Sequence, residues 1–65
     1  MLERDKWYTP NEIAATLGIH PETVRRWIRI GRLPARRMFV GRIYRVLGAD
    51  ILDRLSDLER AAAEE

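Results

Sequence analysis

The sequence predicts a mainly α-helical domain carrying one small β-hairpin, in the order helix, helix, hairpin, helix. Three observations predict it. Two short segments, each bounded by helix-start and helix-stop residues, follow one another almost without a gap before Gly31. Alternating character then sets in after Leu33-Pro34, and a helical apolar period returns from about Gly48. A chain of 65 residues holds one domain at most, expected over residues 1–65 with its core in 8–56 and a helical extension or tail in 57–65.

The first helix has a complete start signal. Thr9 can cap, Pro10 suits the first helical position, and Glu12 completes a capping box. Tyr8 and Ile13 flank the cap as a hydrophobic staple. Ile13, Ala14 and Leu17 form the inward stripe, and Gly18 ends the helix in a left-handed cap. The second helix opens at Pro21 behind His20, a weak cap, and runs to about Ile30 with Gly31 as its stop. Steps of about 100° put Val24, Trp27 and Ile28 on one face and Glu22, Arg26 and Arg29 on the other, with Thr23 and Arg25 on the flanks. Two short helices joined by so tight a turn read as helix-turn-helix.

Around Arg37-Met38-Phe39 and Ile43-Tyr44-Arg45 the alternation predicts two short strands, with Val40-Gly41-Arg42 as their turn. Phe39, Ile43 and Val46 are the expected inward positions. Such a hairpin is unstable alone and must pack on the helices, as a wing does. The last helix is read as one piece with a stripe of Ile51, Leu55, Leu58 and Ala62 and an acidic first turn. Its final turns, with Leu58 and Ala62, either fray or meet another protein. Residues 1–6 and the final acids read as loose ends.

Charge is sharply segregated. Residues 23–49 hold eight arginines and no acid, while the other 38 positions hold all ten acids and four bases. A planar guanidinium fork suits phosphate oxygens, so this distribution points to nucleic acid. With no cysteine and one histidine, disulfides and an ordinary zinc site are excluded. The chain shows no paired carboxylates, no nucleophile with a base and no phosphate-cradling glycine loop, so no catalysis, cofactor or small-molecule ligand is expected. No apolar run is long enough for a membrane span, and a cytosolic location is expected.

The stretch Glu22-Thr23-Val24-Arg25-Arg26-Trp27-Ile28-Arg29 closely resembles the recognition helix of phage lambda-type excisionases. The wider frame, from Tyr8-Thr9-Pro10 through Leu17-Gly18 and Gly31-Arg32-Leu33-Pro34 to Gly41-Arg42-Ile43-Tyr44-Arg45, resembles the MerR-related winged helix-turn-helix superfamily, which also includes small BldC-like regulators. The resemblance covers residues 8 to 56. It implies that the second helix enters the major groove through Glu22, Thr23, Arg26 and Arg29, and that Arg42 on the wing reaches the minor groove. It further implies tandem sites bound cooperatively, self-association as a dimer or head to tail, bent duplex DNA, and a cognate integrase acting in prophage excision. His20 departs from the small capping residue usual there, and residues 50–65 are acidic where the lambda-type protein is basic.

For several residues two readings stand side by side. Glu22 either reads a base edge or orients an arginine, or else is a first-turn acid favoured by the helix dipole. Thr23 is a base contact or a helix-start residue. Arg25, Arg36, Arg37 and Arg45 are expected on phosphates, with His20 close by, since most protein–DNA hydrogen bonds go to the backbone. Arg32 caps the second helix or pairs with the acidic one. Trp27 is core, and Trp7 either covers the core beside Tyr8 or anchors a partner. A protein-interaction module is the reading from another class. The one-signed arginine segment argues against it, because a surface built for solubility mixes both charge signs.

Overall fold

The computed structural model describes residues 2–37 and 43–64. Among these residues seven elements follow in order: β1 (Trp7–Tyr8), α1 (Pro10–Leu17), α2 (Pro21–Arg29), β2 (Arg36–Arg37), β3 (Tyr44–Leu47), α3 (Gly48–Asp53) and α4 (Leu55–Ala63). The architecture is a helix-turn-helix backed by a three-stranded antiparallel sheet of order β1-β3-β2, as expected of a winged helix-turn-helix.

Local chemistry explains α1 at both ends. The Glu12 amide donates to Thr9 Oγ1 at 3.2 Å, and the Thr9 amide donates to Glu12 Oε1 at 2.8 Å. Donation from the Thr9 backbone, then from its side chain, holds the Glu12 carboxyl below its ordinary pKa, with the charge of Arg45 acting in the same direction. Gly18 closes the helix at φ 70°, and the Ile19 amide also reaches the Ala14 carbonyl at 2.9 Å. Three residues later α2 begins, with His20 at its cap making no side-chain capping bond. Val24 and Trp27 are buried and Ile28 is half-buried, the face the helical spacing predicts. Gly31 at φ 83° turns the chain so that the Arg32 and Leu33 amides both donate to the Trp27 carbonyl, at 2.8 and 3.1 Å. Leu33 then drops into the core.

The sheet departs from the expected two-stranded hairpin. β1 adds a third strand, with Trp7 opposite Leu47 and Tyr8 opposite Val46. On the other side of β3, Arg36 pairs with Arg45 and Arg37 with Tyr44. Val46 is buried as expected, but Ile43 is 51 % exposed. The two lie three residues apart, and extended backbone sends residues at odd spacing to opposite faces. Phe39 and the Val40-Gly41-Arg42 turn lie outside the described residues.

The C-terminal helix is two helices. At Arg54 the backbone leaves helical geometry (φ −114°, ψ 10°), and α4 resumes in a new phase. The core therefore takes Ile51, Leu58 and Ala61, while Ala62 is half-buried against it. This corrects the expectation for Leu58: it is fully buried in the chain's own core rather than offered to a partner.

The N-terminal residues are also tied down. The Gly48 and Ala49 amides, unsatisfied at the start of α3, donate to the Lys6 and Arg4 carbonyls at 2.7 and 3.0 Å. The Glu3 amide donates to the Tyr8 hydroxyl at 2.7 Å, and Arg4 bridges to Asp53 at 3.0 Å. Residues 3–6 thus act as a backbone cap for a helix that has no capping side chain.

Candidate nucleic-acid interface

Burial of Val24 and Trp27 fixes which way α2 faces. Its opposite side presents Glu22, Arg25, Arg26 and Arg29, all exposed, while Thr23 is half-buried and bonded through its amide to the His20 carbonyl at 3.0 Å. Glu22 stands inside this face. Its Oε1 lies 3.7 Å from Arg25 Nη1 and its Oε2 3.8 Å from Arg29 Nη1. Arg26 lines a groove with Ile30, Arg32, Ala61 and Glu64.

Asn11 adjoins the candidate face, a position that sequence reasoning missed. Arg25 Nη2 donates to Asn11 Oδ1 at 3.3 Å, which links the first turn of α1 to the arginine-bearing face of α2. Only the crossing of the two helices brings them together, so a signal fourteen residues away was not available locally. Asn11, Arg25, Arg37 and Tyr44 line one cleft between the start of α1 and the wing.

Two wing arginines are seated on rings. Arg37 lies over Tyr44 and Arg36 over Trp7, each 5.9 Å from the ring centroid. Arg36 also faces Arg45 across the strands, a like-charged pair that is unfavourable by itself. The Trp7 ring gives Arg36 a favourable alternative contact. Trp7 itself is 42 % exposed, so it lies on the edge strand rather than over the core. Arg45 is half-buried on the central strand, and its Nε is withdrawn from solvent without a hydrogen-bond partner among the described residues. His20 is exposed at the start of α2. Arg42 lies outside the described residues.

Acids elsewhere in the chain pair with bases outside the arginine segment. Asp50 pairs with Arg54, Asp53 with Arg4 and Asp57 with Arg60, at 3.4, 3.0 and 3.6 Å. Glu3 pairs with Lys6 at 2.8 Å, so each of the four bases outside the arginine segment has an acid partner. Arg32 closes α2 through its backbone amide, and its side chain shares a groove with Asp57 and Glu64. Among the described residues no group of three or more metal-ligating side chains is gathered, and no helix is long and apolar enough to cross a membrane.

A helix with its back fixed in a core and an arginine-rich front is suited to a groove lined by phosphates. A helix-turn-helix domain family model matches residues 7–60. No curated protein and no solved structure is significantly similar to the chain.

Proposed function

This chain belongs to that helix-turn-helix domain family, which includes excisionase-like DNA-binding proteins, and we propose that it serves as a recombination directionality factor. In this reading it binds tandem duplex sites cooperatively, bends the DNA, and directs a cognate integrase toward excision. The observation that carries it is the outward face of α2, whose sequence resembles the lambda-type recognition helix and whose reverse side is locked by Trp27. Glu22, Thr23, Arg26 and Arg29 contact base edges in the major groove. Arg42 enters the minor groove, and Arg25, Arg36, Arg37 and Arg45, with His20, meet phosphates.

Bending by 40–90° costs on the order of 1–6 kcal/mol, which neighbouring copies can supply jointly. A single module of this size offers an interface of roughly 600–1,000 Å², another reason for adjacent copies. Trp7, exposed on the edge strand, is the remaining candidate for contact between copies or with the integrase.

Footprinting across fragments of the native genome at near-physiological salt tests the proposal. Clustered tandem sites beside an integrase attachment region are the expected result. Isolated promoter sites would instead assign the chain to the small BldC-like regulators. On the site so found, Arg26→Ala is expected to cost about 1–3 kcal/mol while sparing random duplex, read by titration at fixed salt. An equal loss on both would make Arg26 a phosphate contact.

A further inference from the structure

We infer that Glu22 is a specificity-determining residue that acts as an internal competitor for DNA phosphates, weakening binding to indifferent sequence more than binding to the preferred site. The inference rests on the DNA-binding reading above and adds a role for Glu22 on the arginine face.

The geometry is that of a shared counter-ion. Each carboxylate oxygen serves a different arginine, Oε1 toward Arg25 and Oε2 toward Arg29, at 3.7 and 3.8 Å. Both distances exceed ordinary hydrogen-bond length, and all three side chains are substantially exposed, so the contacts exchange easily with other anions. Arg25 has a second hold in Asn11, which keeps it near the face when Glu22 is displaced.

Any phosphate that approaches Arg25 or Arg29 must displace this carboxylate or sit beside it. On indifferent sequence the displaced carboxylate faces a negatively charged backbone and gains nothing in return. At a site presenting a cytosine amino group in the major groove, it accepts a hydrogen bond from N4 and the opposition is offset. The acid thus lowers both affinities but lowers the non-specific one further. It also reduces the counter-ions released on binding, since two arginines are already partly neutralised before DNA arrives.

A bland alternative is available, because Glu22 is in the first turn of α2 and favours the positive end of the helix dipole. The two roles separate in the salt dependence of binding. The test compares the full chain with Glu22→Gln, using the footprinted site and a random-sequence duplex of equal length from about 50 to 200 mM salt. Binding is followed by fluorescence anisotropy, with thermal melts of each protein alongside. For Glu22→Gln, random-duplex affinity is expected to rise about three- to tenfold and its salt slope to steepen by about one unit. Preferred-site affinity should rise less or fall, so that the ratio of the two drops. Glu22→Asp, which keeps the charge on a shorter arm, should lie between.

Unchanged random-duplex affinity and slope, or an equal rise on both duplexes, overturns the role. A lowered melting temperature with unchanged binding would assign Glu22 to the helix start alone. If the unaltered chain binds neither duplex, or binds both alike, the sequence-specific DNA-binding reading itself fails, an outcome distinct from failure of Glu22 in a chain that does discriminate.

Discussion

Leu58→Ala is expected to destabilise the domain by about 2–5 kcal/mol, among the largest effects available to a single substitution here. The side chain is fully buried and shares one cluster with Ile13, Val24, Trp27, Leu33, Val46 and Ile51. Removing most of it forfeits the transfer energy of the deleted carbons and leaves a cavity that the helices cannot fully close. Domains are typically stable by only about 0.05–0.15 kcal/mol per residue, so a loss of that size takes a large share of the total. Urea unfolding followed by tryptophan fluorescence reads it directly, because Trp27 is buried in the same cluster. Leu58→Met, which roughly conserves volume, should cost less than about 1.5 kcal/mol. The rival expectation, that Leu58 belongs to a partner interface, predicts an unchanged midpoint and altered self-association. A midpoint that stays put would sink the burial assignment.

The difference between those two expectations shows what the sequence carries and what it does not. Signals confined to one turn of chain were legible. Thr9, Pro10, Glu12 and Gly18 specify α1 by bonds that span a few residues, and the structure contains each of them. The facing of α2 was legible for the same reason, since Val24 and Trp27 against Glu22, Arg26 and Arg29 is a matter of helical geometry. So was the arginine segment, because charge segregation is a property of the chain itself.

Signals that depend on distant chain were not. β1 is two residues long, too short to show alternation, and its partner lies some forty positions away. Asn11 adjoins the candidate face only because α1 crosses α2. The misplacement of Ile43 came from assigning two positions of odd spacing to one face of a strand. The break at Arg54 carries no glycine or proline to mark it. A single continuous period therefore ran Leu58 into Ala62, whereas the interruption places Ala61 inward. The seating of Arg36 on Trp7 and Arg37 on Tyr44 likewise follows from strand pairing that no local pattern encodes.

Gly48→Ala tests the other non-local feature, the N-terminal cap, and two principles predict opposite signs for it. Gly48 is the first residue of α3, so on helix propensity alone alanine should stabilise by about 0.5–1 kcal/mol. The packing says otherwise. A Cβ at this position would overlap the Glu3 carbonyl group and press on the Tyr8 ring. The obstacle is backbone, not the flexible end of a side chain, so relief requires residues 3–6 to move. Moving them breaks the bonds from the Gly48 and Ala49 amides to Lys6 and Arg4, and the α3 N-terminus has no side-chain cap to replace them. The expected net effect is a destabilisation of about 1–3 kcal/mol, in the range of overpacked interiors. For a domain this small that corresponds to a fall in melting temperature of roughly 5–20 °C. The local cause has its own readout. Amide exchange at Gly48 and Ala49 should be slowed by their bonds to the Lys6 and Arg4 carbonyls, and in the variant exchange at residues 48 and 49 should accelerate more than at Val24 or Trp27. A melting temperature that rises on substitution would mean that propensity outweighs the contact and that residues 3–6 do not press on α3 in solution.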